Sequence, residues 1–217
     1  MEHNLKPRQN YPTLGIHSTD NTFGFGYRKS NNRESDELFI KKFDNDLCNN
    51  LIDDFKKFIS KDNLLRVNKI SVSIGPANFN ASRLIVVLAR TISQQINCPL
   101  ESYSSFTIMA KRIASKNNIF TNKKSFWIYK KLKRKGFIAG KYEIHQNEQK
   151  NGYLVIREIV LPKVIKELNS KELFFEANYE DKEDLRELLD SSNKNFLNAD
   201  VNSWQKVLPL YPISPIN

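Results

Sequence analysis

The chain has 217 residues, of which 40% are hydrophobic, so it can bury the core of one compact domain or of two small lobes. Its formal net charge of +10 favours acidic or polyanionic partners. No apolar run approaches the roughly 18 residues that a membrane-spanning helix needs, and residues 1–10 lack the hydrophobic segment of a secretory signal, so we expect a cytoplasmic protein without a membrane partner.

The cysteines and histidines do not have the spacing of a metal site. Cys48 and Cys98 lie fifty residues apart without a CxxC partner, which predicts free thiols. His3, His17 and His145 are scattered, and the sequence contains no HxxxH or HExxH pair. We therefore expect no metal and no cofactor, and a metallo-hydrolase loses most of its support.

The charges are unevenly distributed along the chain. Residues 111–142 contain eleven Lys or Arg residues and no Asp or Glu, so this basic stretch could bind the phosphates of a tRNA. Because Lys and Asn are frequent throughout the chain, a solvated face is the competing interpretation. The acidic stretch 172–190 could pair with basic surface elsewhere in the protein.

The first half of the chain predicts a mixed α/β sheet. After a disordered tail at 1–10, alternating apolar residues predict strands at 11–18 and 22–27, and a third is plausible at 37–43. Apolar residues then recur every three to four positions over 44–60, which predicts an amphipathic helix with Asp44 as its N-cap.

A strand, a helix and another strand follow. Residues 69–75 are β-branched and end on Gly-Pro, and a helix is expected over 82–97, capped by Asn80 or Ser82. Pro99 ends it, and 99–103 returns as a strand. These elements predict about five strands in one sheet, with both helices on one face.

We place the boundary between an N-terminal lobe, 11–103, and a smaller C-terminal lobe, 104–217, by topology alone. The C-terminal lobe is predicted to contain helices at 105–114, 163–168 and 182–189 and strands at 126–132, 137–144 and 153–160. The C-terminus is expected to be an extended segment anchored by Trp204, Leu208, Leu210 and Tyr211.

Three segments resemble the TsaB (YeaZ) family, a glycoprotease-like (peptidase M22-like) group. TLGIHSTDNTFGFGY resembles its opening hairpin, and SVSIGPANFNASRLIVVLARTISQQINCPLESYSS is similar to its strand ending in GPGSFTGLR with the helix and strand that follow. PLYPISP resembles its closing segment. The order and spacing of these segments carry the resemblance, over about residues 13–106 and 204–215.

The resemblance implies an α/β fold of two actin-like or Hsp70-like lobes of the ribonuclease H-like type, with mixed sheets and crossover helices. It also implies a non-catalytic scaffold in the bacterial complex that forms N6-threonylcarbamoyladenosine in tRNA. TsaB proteins are paralogues of the catalytic subunit TsaD and associate with TsaD and with the ATPase TsaE. A homodimer is expected when the chain is alone, with indirect or weak tRNA contact.

The resemblance also locates a candidate phosphate loop. Nucleotide-using relatives place an Asp where this chain has His17, and an imidazole is a poor ligand for magnesium. Ala77 and Ala81 stand where the family has glycines, so the loop would be vestigial, and a plain turn with an N-cap is the alternative. The loop candidates are Gly75, Asn78, Asn80, Ser82 and Arg83.

The helix at 82–97 is apolar around most of its circumference, so it needs a cover on its outer side. That cover could be a partner, as the family's interface implies, or the chain's own core. For a partner, we expect the residues from the helix at 44–60 and some of those from the helix at 82–97 to be exposed in the monomer and buried in the complex. The expected set is Leu51, Phe55, Val86, Val87 and Arg90.

Two other functions stay open at this point. A peptidase or a sugar or acetate kinase could use the same fold, although no catalytic constellation is recognisable in the sequence. An RNA-binding module could use the basic stretch, although no RRM-like or KH-like signature accompanies it.

Overall fold

The computed structural model describes residues 12–30, 32–43, 47–116, 125–133, 136–147, 153–194 and 202–213. The predicted tail at 1–10 and the Asp44 cap lie outside these residues.

The first sheet has five strands in the order β3-β2-β1-β4-β5. β1, β2 and β3 are antiparallel, whereas β4 and β5 run parallel to β1. This confirms the predicted mixed sheet, with the 69–75 segment at its centre, and the strand order is that of a ribonuclease H-like lobe. The strands are β1 (Thr13–Ser18), β2 (Thr22–Arg28), β3 (Glu37–Lys42), β4 (Lys69–Ser73) and β5 (Leu100–Tyr103).

Five α-helices are described, and two of them cover one face of this sheet, as predicted. Alternate strand residues such as Leu14, Ile16 and Phe25 share one buried cluster with Leu51 and Ile85 from the two covering helices, α1 and α3. The helices are α1 (Leu47–Phe58), α2 (Lys61–Leu65), α3 (Phe79–Ile96), α4 (Ser105–Lys116) and α5 (Asp181–Lys194).

The opposite face of the first sheet is covered by α5, which lies far away in sequence. Gly15, Gly24 and Gly26 lie on this face, because they alternate along β1 and β2 with apolar and aromatic residues whose side chains point to the other face. A Cβ atom at Gly26 would lie 3.0 Å from Leu189 and 3.1 Å from Leu185, so the missing side chains let the helix approach the strands closely. The sheet is therefore buried on both faces.

The second sheet repeats part of the first. Its order is β8-β7-β6-β9, with β6, β7 and β8 antiparallel and β9 parallel to β6, which is the arrangement of β3-β2-β1-β4. α4 covers its inner face. The strands are β6 (Ser125–Lys131), β7 (Phe137–Asn147), β8 (Tyr153–Ile165) and β9 (Phe174–Glu176).

Two predicted helix positions are wrong. The helix expected at 163–168 does not form, because β8 continues through Pro162, which falls in the irregular part of an edge strand where a missing N–H is tolerated. The helix expected to begin at 82 begins instead at Phe79. The mixed α/β fold class itself is confirmed.

Two segments of the second half belong to the packing of the first sheet. They are α5 and residues 203–207, where Val207 is buried in the core of that sheet. The division into lobes at 103 and 104 therefore stays a prediction. Leu208, expected to be an anchor, is 62% exposed, because the buried position is taken by its neighbour.

Candidate functional site

The predicted phosphate loop, residues 74–83, connects β4 to α3. Gly75 has φ +101°, a conformation that favours glycine. Asn78 is the N-cap of α3, and its Oδ1 accepts a hydrogen bond from the N–H of Ala81 at 3.2 Å, so neither Asn80 nor Ser82 has the predicted capping role. The turn with an N-cap, left open by the sequence, is therefore present in the structure.

The carbonyl oxygens of this loop are bonded to three distant parts of the chain. The oxygen of Ile74 accepts from Leu210 N at 2.8 Å, and that of Gly75 accepts from Ser105 N at 2.7 Å. The oxygen of Pro76 accepts from the hydroxyl of Tyr179 at 2.5 Å. The loop is therefore a junction between the C-terminal segment, α4 and the residues before α5.

The remaining loop candidates have different environments. Asn80 and Arg83 are exposed at the start of α3. Ser82 is 2% exposed, and its Oγ has no hydrogen-bond partner among the described residues. The phosphate loop, which the resemblance suggested through its backbone N–H groups, therefore stays a prediction.

His17, at the position where the family resemblance implies an Asp in nucleotide-using proteins, is a buried neutral imidazole. Its side chain is 3% exposed, and neither ring nitrogen has a hydrogen-bond partner among the described residues. Burial, with a smaller contribution from the charge of Arg112, lowers the pKa of His17 to about 4. His17 is therefore uncharged at neutral pH, and it provides no carboxylate for a metal.

Arg112 of α4, whose charge acts on His17, is fully engaged by α5 and the residues before it. Its Nε donates to Asp184 Oδ1 at 2.7 Å and its Nη1 to Glu180 Oε1 at 2.6 Å, while Nη2 donates to the carbonyl of Asn178. Burial raises the pKa of Asp184 to about 6 even though Arg112 acts in the opposite direction. These groups hold α4 and α5 together.

The turn between β1 and β2 is joined to the second half of the chain. Asp20 forms an ion pair with Lys130 of β6, and Thr22 Oγ1 donates to Asp181 Oδ1 at 2.9 Å. Thr19, rather than Asp20, bonds within the turn. The described residues contain no group of three or more His, Cys, Asp or Glu side chains that could hold a metal ion.

Three of the five predicted interface residues are not on the surface. Leu51, Phe55 and Val86 are 3%, 6% and 1% exposed, because α1 and α3 use them to cover the aromatic face of the first sheet. The ring of Phe55 meets that of Phe25 edge to face, with centroids 5.2 Å apart. The prediction that Leu51 and Phe55 would be exposed in the monomer is wrong. For α3 the prediction required only some of Val86, Val87 and Arg90 to be exposed, and Val87 is 53% exposed.

The C-terminal segment, which the sequence analysis predicted as extended but did not connect with α3, supplies much of the outer cover of that helix. It lies against α3 with Arg90 over the ring of Trp204 at 5.9 Å and with the rings of Phe79 and Tyr211 4.6 Å apart. Leu100 N donates to Ser203 Oγ at 2.8 Å, which fixes the start of the segment on β5. The chain itself therefore covers much of this side of the helix.

A partly apolar surface remains on α3 and this segment, and we call it the α3 surface. Phe79, Arg83 and Val87 follow one another at four-residue intervals and are exposed on one side of the helix. Neither residues 63–100 nor residues 202–217 contain an Asp or a Glu, so the surface has no carboxylate of its own. Its members are Phe79 (37% exposed), Val87 (53%), Leu208 (62%) and Tyr211 (38%), with Arg83 and Arg90.

The predicted pairing of the acidic stretch with basic surface is present. Lys111 pairs with Glu187 at 2.7 Å, and Arg112 and Lys116 both pair with Glu180. Further pairs join Lys141 to Glu172 and Arg28 to Asp190. Part of the basic stretch is thus neutralised within the chain.

Comparison with solved structures shows the fold. A Pseudomonas aeruginosa protein described as uncharacterized and similar to peptidase YeaZ matches at TM-score 0.65 and 14% identity, over 94% of this chain and 100% of that chain. YeaZ from Pseudomonas aeruginosa matches at TM-score 0.62 and 12% identity, over 93% of this chain and 99% of that one. The chain therefore has the fold of the YeaZ structure.

Comparisons of sequence add no closer relative. Neither the models of known protein families nor the curated proteins give a match. Within the described ranges, none of the helices combines the length and apolar character needed to cross a bilayer.

Proposed function

We propose that this chain is a non-catalytic subunit of the TsaB (YeaZ) type, which binds and supports TsaD in the bacterial complex that forms N6-threonylcarbamoyladenosine in tRNA. The fold shared with the YeaZ structure agrees with the sequence motifs that suggested this family. In this proposal the chain also meets TsaE within the complex and forms a homodimer when alone.

The proposal that the chain is non-catalytic rests on one observation, the state of His17 and Asp20 at the turn between β1 and β2. His17 replaces the acidic residue of nucleotide-using relatives and is buried and neutral, while Asp20 is paired with Lys130. A magnesium-bound nucleotide needs hard oxygen ligands and backbone N–H groups that are free to approach the phosphates. The arrangement supports binding of a partner rather than turnover of ATP.

The α3 surface is the docking site in this proposal. It combines exposed Phe79, Val87 and Leu208 with the cations Arg83 and Arg90, and the two segments that form it contain no carboxylate. Aromatic and Arg residues are enriched where protein interfaces derive most of their affinity. We therefore expect an apolar partner surface with carboxylates at its edge.

The direct test is co-purification of the chain with TsaD from the same organism. Val87→Asp should place a charge in the contact and weaken binding by about 2 kcal/mol or more, roughly thirtyfold in Kd. Leu65→Asp, at a 61% exposed leucine of α2, is the matched control and should retain TsaD. The proposal is wrong if the unmodified chain does not retain TsaD.

The enzymatic alternative has its own test. We expect no hydrolysis of ATP and no cleavage of protein above background by the isolated chain, with or without magnesium. Metal-dependent turnover that disappears in Asp20→Asn or His17→Gln would contradict the proposal. It would instead favour an enzymatic function as a kinase or a peptidase.

A further inference from the structure

The second sheet has an outer face, opposite α4, on which four aromatic rings lie together. Side chains alternate along β6, so Phe126 and Ile128 pack under α4 while Trp127 and Tyr129 point to the other side. The described part of the chain places no helix on that side. The four half-buried rings are Trp127, Tyr129, Phe137 and Phe174.

These rings form one continuous group across three strands. The centroids of Trp127 and Phe174 lie 5.9 Å apart, and those of Tyr129 and Phe174 lie 6.2 Å apart. Phe137 meets Tyr129 edge to face at 5.7 Å. The rings are therefore held in place by each other and by the strands that carry them.

Cations without partners accompany the rings. Lys131 lies opposite Phe137 and Lys163 lies opposite Ala139, and among the described residues neither has an ion pair. By contrast, Lys141 lies 5.5 Å from the centroid of Trp127 and is paired with Glu172. Lys133, an exposed residue just beyond the end of β6, adds a further cation near this end of the sheet.

Few carboxylates oppose these cations on the outer face. Glu143 is bonded to His145 at 2.8 Å, and Glu176 lies opposite Tyr129 on the edge strand β9. Glu172 accepts hydrogen bonds from Trp127 Nε1 at 2.8 Å and from Lys141 Nζ at 2.5 Å, so its carboxylate is already engaged. The unpaired cations thus have no neutralising partner in the described part of the chain, and a polyanion would supply one.

We propose that this outer face binds single-stranded nucleic acid, with bases stacking on the aromatic rings and phosphates contacting Lys131 and Lys163. Rings combined with cations suit this ligand because every base has a π-face and every nucleotide carries a negative charge. An acidic protein could form ion pairs with the lysines, but it would not stack a series of planar groups on several adjacent rings. This site is separate from the α3 surface, and the proposal does not depend on TsaD.

The fluorescence of Trp127 can report binding directly, because the chain has only two tryptophans. In a Trp204→Phe background, the isolated protein is titrated with twelve-nucleotide single strands of RNA and of DNA at several salt concentrations. We expect quenching of Trp127 by at least one of the two strands. Comparison of RNA with DNA identifies which sugar is preferred.

Matched variants distinguish binding at this outer face from nonspecific attraction of nucleic acid to a basic protein. Lys131→Gln with Lys163→Gln should lower affinity about tenfold and reduce the slope of log affinity against log salt by about 1.4, since each lost phosphate contact removes about 0.7. Lys56→Gln with Lys57→Gln, two exposed lysines of α1, removes the same charge and should change neither quantity. Tyr129→Leu should weaken binding about tenfold through lost stacking.

Four outcomes would overturn the proposal. These are no quenching by either strand, an equal loss in the α1 control, unchanged affinity in Tyr129→Leu, and equally tight binding of polyphosphate, which has charge but no bases. Protection of Trp127 by a protein subunit, with no response to oligonucleotides, would instead identify a protein interface.

Discussion

Arg112 on α4 and Asp184 on α5 form a buried ion pair, with 2.7 Å between Nε and Oδ1, and their side chains are 5% and 1% exposed. Asp184 Oδ2 also accepts from the backbone N–H of Glu180 at 2.9 Å, so the carboxylate both caps the start of α5 and receives the guanidinium. The pair joins the helix that covers the second sheet to the helix that covers the first.

Removing one partner of this pair should be strongly destabilising. Arg112→Met leaves the carboxylate of Asp184 buried without its cation, and we expect a loss of about 3 kcal/mol in the free energy of unfolding. Adding Asp184→Leu removes the stranded charge and should restore part of that loss. Urea denaturation measures both, and a loss below about 1 kcal/mol in the single variant would show that water reaches the carboxylate.

His17 should make the protein sensitive to mild acid. Its folded pKa of about 4 lies below the ordinary value of 6.5, so the unfolded chain binds the proton first and stability falls as the pH falls from 6.5 to 4. Between neutral pH and pH 4.5 the unmodified protein should lose about 2–3 kcal/mol more than His17→Gln does.

Asp184 does not obscure that comparison. Its folded pKa of about 6 is raised, so its protonation stabilises the folded state as the pH falls, but the residue is present in both proteins. Denaturant midpoints measured at a series of pH values test the prediction. Parallel curves for the two proteins would mean that the imidazole is not buried and neutral.

The glycines of β1 and β2 should differ in their tolerance of alanine. A Cβ atom at Gly24 would lie 2.8 Å from the backbone oxygen of Phe39, whereas at Gly15 the nearest atom is a Leu189 methyl at 3.2 Å, which can move. Gly24→Ala should therefore cost about 1–3 kcal/mol, and Gly15→Ala under about 1 kcal/mol. Equal thermal midpoints for the two variants would contradict the close approach of β3 to Gly24.

Adjacent valines of α3 should respond in opposite ways to a charge. Val86 is 1% exposed and Val87 is 53% exposed. Val86→Asp buries an unpaired carboxylate and should cost more than about 3 kcal/mol, while Val87→Asp should change stability by under about 1 kcal/mol. If thermal unfolding shows both variants to be equally unstable, the helix is covered on both sides in the monomer.

The sequence by itself determined the elements whose pattern is local. Alternating apolar residues predicted β1, β2 and β4, and the three-to-four-residue spacing predicted α1 and α3, because each pattern reflects one buried face of one element. The motifs around Gly75 also suggested the TsaB (YeaZ) family, and the YeaZ structure has the same fold as this chain.

Tertiary structure decided which apolar residues stay on the surface. The helix 82–97 was rightly predicted to need a second cover, but the C-terminal segment that supplies much of it follows about a hundred residues later in the sequence. The contacts of Arg90 with Trp204 and of Phe79 with Tyr211 have no periodic signal in the sequence, because each joins two distant segments. Sequence analysis therefore did not decide between Val86 and Val87 as the exposed residue, and it missed Phe79.

Tertiary structure also decided the state of the candidate nucleotide site. The resemblance implied that His17 stands where nucleotide-using proteins have a carboxylate, but its neutral state follows from burial on a face covered by α5, and Asp20 is neutralised by a lysine 110 residues away. Similarly, Pro162 locally predicts the end of a strand, whereas β8 passes through it, because among the described strands β8 lies at the sheet edge and pairs with β7 alone. Pairing across long sequence separations depends on the assembled sheet, and no single segment encodes it.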